Sequence, residues 1–392
     1  MENIIKSCIV GVCASLTMFL GSPLSPVNIG NTTLKPMYNY CKGAGKLSQI
    51  ETITFSRTPP ANYEKEWPAD VNNSGHIMGY LDGSDVTIVG ETICLNKNSS
   101  YMFANRSGTG MPLFSGLSRI SGLNMLDTSQ CESMSMMFYF DDFLEDVNGI
   151  AGWDTGQVDD MSFMFTGCTG LRTLPIGLWD VGAVENFDAM FQGRGQNLGD
   201  MNIEHLDLSC WDTRSAKSMS HMFYGCSKLR VLDLSNWDVS HVETFSHMLA
   251  DCYGLEEVKL EGWNTRSAKS FDAMFNDCHG LRYIDVASFE TGSCKQFSQM
   301  FEACRNLEHI DGIEAWDVSN ASEYAFSETF HGCRSLKDLD LSRWVAPHPD
   351  STFRMFKGCE SLAELDLSGI NMATVESSEE MFDGCSALIK CK

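Results

Sequence analysis

Six aspartates occupy one recurring place in this sequence, each directly after a leucine or isoleucine: Asp207, Asp233, Asp285, Asp311, Asp340 and Asp366, with Lys259 in the equivalent place. Carboxylates brought side by side repel one another. They are tolerated where backbone groups, a cation or a basic partner offset the charge. Eight of the sixteen cysteines recur in the same way: Cys168, Cys226, Cys252, Cys278, Cys304, Cys333, Cys359 and Cys385. Thiols clustered as C-x-x-C hold zinc, but that spacing is absent from the sequence. The nine histidines are scattered, although His221 and His247 share one position. The sequence contains no H-E-x-x-H, G-x-S-x-G or G-x-x-x-x-G-K-[ST] motif. The expectation is a protein that is not an enzyme and has no catalytic residues, cofactor or dedicated metal centre.

The columns exist because the chain repeats. SMSHMFYGCSKLRVLDLSNWDVS (218–240) is followed 26 residues on by TFSHMLADCYGLEEVKLEGWNTR (244–266). The aromatic of the Met-Phe pair, or its substitute, falls at Phe138, Phe165, Phe191, Phe223, Leu249, Phe275, Phe301, Phe330, Phe356 and Phe382. A tryptophan column runs through Trp153, Trp179, Trp211, Trp237, Trp263, Phe289, Trp316 and Trp344. Most steps are 26 residues, with 27 before Phe165, 32 before Phe223 and 29 before Phe330, and a period of this length is the mark of repeats that bury their apolar sides against one another.

Within one repeat, Leu232-Asp233-Leu234 alternates as a half-buried strand does. Val242, Phe245, Met248 and Leu249 fall on one stripe of a helix, and Ser240 and Glu243 have capping-box spacing before it. The pattern therefore predicts an α/β repeat solenoid. In it, one short strand and one short helical return fill each 26-residue turn, in a leucine-rich-repeat-like right-handed stack. The Trp, Met and Phe columns are assigned to the core. The cysteine column is assigned to buried reduced thiols, because parallel side chains on neighbouring turns do not converge as a disulfide requires.

The consensus V-x-x-M-x-x-M-F-x-G-C-x-x-L-x-x-L-D-L-S-x-W-D-V-S, carried here by Ser235, Trp237, Asp238, Val239, Ser240, Met248 and Cys252, resembles the repeat of bacterial BspA-like leucine-rich-repeat surface proteins. The resemblance covers about residues 95–392, and the stretch 76–103 is similar to the segment preceding such repeats. It departs at Arg194-Gly195, where a cysteine is expected, at an insertion within 192–205, and at the missing Trp-Asp after Ser368. The resemblance implies a cell-surface or secreted protein that meets molecules of a host or neighbouring cell, with no shared enzyme activity.

Three divisions are expected. Residues 1–30 hold an apolar stretch, Ile9 to Leu20, read as a signal segment although Lys6 is offset by Glu2. Residues 31–110 form an irregular, β-rich cap, in which Asp82-Gly83 sets a hairpin. Residues 111–392 are the repeats, stopping mid-repeat as in a shortened relative. No apolar stretch reads as a transmembrane anchor. A net charge of −24 argues against a nucleic-acid partner, because a polyanion is repelled.

The outward strand positions are the candidate binding face. The aspartate column lies there, open to a weakly held cation. Beside it stand Arg230, Glu256, Arg282, Tyr283, His309 and Lys337, which differ from repeat to repeat and would set the choice of a protein or glycan partner. The expected function is surface-displayed or secreted binding and adhesion; the alternative is an intracellular repeat scaffold for protein–protein contacts, cytoplasmic if residues 1–30 are no signal.

Overall fold

The computed structural model describes residues 32–106, 113–194, 199–322, 324–346, 351–386 and 388–390. The expected signal segment lies outside them. The strands are β1 (Thr52–Ser56), β2 (Lys65–Pro68), β3 (Met78–Asp82), β4 (Asp85–Val89), β5 (Ile93–Cys94), β6 (Arg119–Ser121), β7 (Leu126–Asp127), β8 (Val231–Asp233), β9 (Glu257–Lys259), β10 (Tyr283–Asp285), β11 (His309–Asp311), β12 (Glu364–Asp366) and β13 (Leu388–Lys390).

The N-terminal sheet has the order β2-β3-β4-β1-β6. Strands β2, β3 and β4 run antiparallel, while β1 lies parallel to both β4 and β6. Asp82-Gly83 turns the β3–β4 hairpin with Asp82 facing Asp85, and Gly83 has the positive φ (59°) a tight turn needs. Period-two alternation buries Ile53, Phe55, Val86, Ile88 and Ile120 on one face. Trp67 seals one edge, its Nε1 donating to the Tyr40 carbonyl at 2.6 Å. A Cβ on Gly79 would lie 2.3 Å from that indole, so only glycine fits.

Beyond the sheet the repeats lie parallel and in register. Val231 faces Glu257, and Tyr283 faces His309. One bridge position per repeat continues through Asn98, Ser133, Asp160, Asn186, Ser218, Thr244, Ser270 and Gln296. The rings follow the same register. Phe138 and Phe165 stack with centroids 5.2 Å apart, and Phe275 and Phe301 at 5.5 Å. Trp211 and Trp237 lie 6.1 Å apart and within 6° of parallel. Phe103 extends the phenylalanine column one repeat earlier than the sequence period suggests, 5.2 Å from Phe138.

The expected α/β solenoid with a helical return in every turn is not the fold. Among the described residues the helical elements are short 3-10 segments, and the repeat strands fall into small separate two-stranded sheets joined by turns and loops. The reason lies in the return itself. His221 and Gly225 are left-handed (φ 56° and 71°), as are His247 and Asp251 (56° and 58°) and Gln299 and Ala303 (both 55°). A residue at positive φ cannot continue a right-handed helix. The amides alternate accordingly. Met222, Tyr224 and Cys226 bond three residues back, to Met219, His221 and Phe223. His221, Phe223 and Gly225 bond forward into the next repeat, to the carbonyls of Ser246, Met248 and Ala250 at 2.8–2.9 Å. Tandem turns bury an i, i+3, i+6 stripe as a helix does. Here they also satisfy every second N–H between repeats, which an isolated helix of this length would forgo.

Among the described residues, no helix is long and apolar enough to cross a membrane.

Candidate functional site

The aspartate column has a local use. Asp207 and Asp233 each accept from the amide and hydroxyl of the serine two residues on, Ser209 and Ser235, with Oγ–Oδ1 distances of 2.7 Å. Asp285, Asp340 and Asp366 each accept the i+2 amide at 2.9 Å, from Ala287, Ser342 and Ser368. These are Asx turns, which fix the corner where the chain leaves the strand. Asp311 instead accepts from the Tyr283 hydroxyl at 2.8 Å, and that bond holds the phenol up at about 12. Burial raises the Asp233 carboxyl, but the Ser235 bonds and Lys259, 3.2 Å away, outweigh it and keep the group below its ordinary range.

The six aspartates do not form one ladder. Strand pairing sets Asp233 against Lys259 and Asp285 against Asp311, while Asp366 pairs in register with Lys390. Asp207 and Asp340 lie outside the named strands. Asp285–Asp311 is thus a registered like-charge pair, and its two members are relieved by different donors, the Ala287 amide and the Tyr283 hydroxyl.

The neighbouring column holds a pattern that a residue-by-residue reading passes over. Arg172, Glu204, Arg230, Glu256, Arg282, Glu308 and Lys337 alternate in sign from repeat to repeat. Arg172 pairs with Glu204, Arg230 with Glu256, and Arg282 and Lys337 both with Glu308. His309 lies 3.4 Å from Asp338. The charged residues expected to await a partner are therefore already paired within the chain, and Val231 and the ring of Tyr283, whose hydroxyl is held by Asp311, are each 49% exposed on this face. The signal for the ladder was in the sequence, but only when read down the column. The like-placed histidines also meet: the rings of His221 and His247 stack at 4.6 Å, and burial with the second imidazole lowers His221 to about 4.

All cysteines among the described residues are free, and each thiol of the repeat column from Cys168 to Cys359 donates to a carbonyl of the preceding repeat. Burial raises these thiols well above their ordinary range, which leaves them poor nucleophiles. Tryptophan uses the same device: Nε1 of Trp179, Trp211, Trp263 and Trp344 donates to a carbonyl one repeat earlier. Donor atoms suited to a metal converge at Glu302, Glu328 and His331, in two adjacent repeats.

A family described as "Mycoplasma protein of unknown function, DUF285" matches residues 109–205, 195–309 and 278–390. The chain belongs to this DUF285 family. The three DUF285 matches include the thiol, tryptophan and aspartate columns of this chain, while β1 to β4 lie outside them. No curated protein matches the sequence. Among solved structures, a chain from "Crystal structure of TLR13-ssRNA13 complex" is similar over 71% of this chain and 50% of its own length, with 12% identity and a TM-score of 0.17. The present chain thus spans half of that one.

Proposed function

We propose that the protein is a binding protein, of the BspA-like surface class its consensus resembles, which presents the strand face of its repeats to a protein or glycan on another cell. The observation that carries this reading is the exposed side of β8 to β11. There Val231 and Tyr283 stand open amid charges whose positions are fixed by pairing between repeats. A surface of this kind offers pre-ordered contacts at low entropic cost, which is what extended recognition requires. The test is binding of the purified chain to arrays of matrix glycoproteins, glycans and bacterial cells. Wild type is compared with Tyr283→Ala and with the double variant Asp285→Lys, Asp311→Lys. Loss or change of binding with retained thermal unfolding supports the face; identical binding by all three proteins rules it out.

A second reading, an intracellular scaffold for protein–protein contacts, is favoured by one observation. The free thiols are integral donors in the core and match a reducing compartment. Protease shaving of intact cells separates the two readings. Degradation of the chain from outside supports surface display, and full protection supports the scaffold.

A further inference from the structure

Glu302 and His331 occupy equivalent places, each directly after a phenylalanine of the stacked column, and Glu328 lies two residues before Phe330. The frame beneath them is stiff. The Phe301 and Phe330 rings lie 5.8 Å apart and within 6° of parallel. The Phe301 amide donates to the Thr329 carbonyl at 2.9 Å, and Ala303 to that of His331 at 2.6 Å. Glu328 has a left-handed backbone (φ 57°), as do the equivalent Gln299 and Arg354 in the flanking repeats. One donor atom from each of Glu302, Glu328 and His331 lies within 4.8 Å of the others, and all three side chains are less than a third exposed.

We propose that Glu302, Glu328 and His331 form a binding site for one divalent transition-metal ion of the zinc class, which clamps two adjacent repeats together.

The donor set is the first argument. One imidazole nitrogen with two carboxylate oxygens suits zinc and its neighbours better than magnesium or calcium, which take oxygen alone. The outer contacts are the second. The Asn276 amide nitrogen donates to Glu302 Oε2 at 3.0 Å, and that of Gln299 to Glu328 Oε2 at 2.9 Å. Each carboxylate is thereby held by its Oε2, the arrangement that orients metal-binding carboxylates, while its Oε1 makes contacts that an ion can replace. Glu302 Oε1 faces His331 Nδ1 at 3.0 Å, a contact an ion would replace on deprotonation of that nitrogen. Arg354 lies 3.5 Å from Glu328 but has a closer partner in Glu380, at 2.7 Å, so it can cede Glu328 to an ion.

The surrounding charge is the third. Asp277 adjoins the cluster, its amide donating to the Glu302 carbonyl at 2.8 Å, and Glu380 adjoins it through the shared partner Arg354. Carboxylates therefore crowd this part of the surface, and a divalent ion relieves that crowding. The nearby column thiols of Cys304 and Cys333 are engaged elsewhere, donating to the Phe275 and Phe301 carbonyls, each at 3.0 Å.

The experiment uses the full chain with Zn2+ and, separately, Co2+. Calorimetric titration of wild type should show one saturable Zn2+ site that raises the unfolding temperature and is reversed by chelation. Loss of an outer contact commonly weakens metal sites by about 10- to 100-fold, so Glu302→Gln and His331→Gln should weaken Zn2+ at least that far. Glu257→Gln on β9 should leave it unchanged. Bound Co2+ should show d–d absorption without thiolate charge transfer, a readout from wild type that needs no variant to fold. Absence of binding, equal affinity in the ligand variants, or a Co2+–thiolate spectrum overturns the proposal.

Discussion

Asp141 stands three residues after Phe138, in the place Cys168, Cys226 and Cys252 hold in later repeats. It is fully buried, and neither carboxyl oxygen has a hydrogen-bond partner. Burial, and after it the Asp142 carboxylate, push the group well above the usual carboxylate range. Asp141→Cys would restore the thiol of the column. In the other repeats Sγ donates to a carbonyl of the preceding repeat at 2.8–3.3 Å, and here the equivalent acceptor is the Phe103 carbonyl. A buried polar group without a partner costs about 1–3 kcal/mol, so the variant should be more stable than wild type by about that amount in acid, where the carboxyl is neutral in both states, and by more at neutral pH.

The difference should depend on pH. An unfolded aspartate titrates near ~4, and the folded carboxyl titrates higher. The stability this group contributes is therefore present in full below the unfolded value and is lost as pH rises through the folded one. The gap between variant and wild type should widen from acid toward neutral pH. The Asp142–Arg194 ion pair is common to both proteins and largely cancels in the comparison. Urea unfolding followed by tryptophan fluorescence, under reductant and at a series of pH values, measures the gap directly. A variant that is less stable at neutral pH, or a gap that does not change with pH, would refute this account of the column.

Two further outcomes follow from the same geometry. Trp316 Nε1 is buried without a partner, whereas Trp344 Nε1 donates to the Ile313 carbonyl at 2.8 Å. Trp344→Phe should therefore cost more than Trp316→Phe by about one hydrogen bond, roughly 0.5–1.5 kcal/mol, measurable by chemical denaturation of both variants. Glu308→Lys places three cations in succession with Arg282 and Lys337, so it should lower the melting temperature at low salt, and the loss should shrink in high salt. A loss independent of salt would mean the alternating column is not electrostatic in origin.

The register of the repeats, the buried Phe and Trp columns and the Asp82-Gly83 hairpin were legible because each leaves a regular trace in residue type. The return was misread because the Val242, Phe245, Met248, Leu249 stripe fits a helix and a tandem of turns equally well. The deciding trace is the place two residues after the phenylalanine or its substitute, held by Gly225, Gly332, Gly358 and Gly384, by Asp251 and Asp277, and once by Ala303. Glycine and aspartate tolerate positive φ, and their recurrence there marks a turn. The roles of the thiol and indole as hydrogen-bond donors left no trace, because they depend on which carbonyl the register brings near. Glu302, Glu328 and His331 were missed because they combine two columns across the one interval of 29 residues in this part of the chain.

The forward bonds of the returns specify a partner by offset and not by identity: any unit will accept the amides of the unit before it. Excision or duplication of one complete period thus rejoins like ends to like ends, while a partial one strands donors on both sides of the scar. Genes for such chains are free to lengthen or shorten in whole steps, and the reach of the molecule becomes a heritable quantity counted in integers.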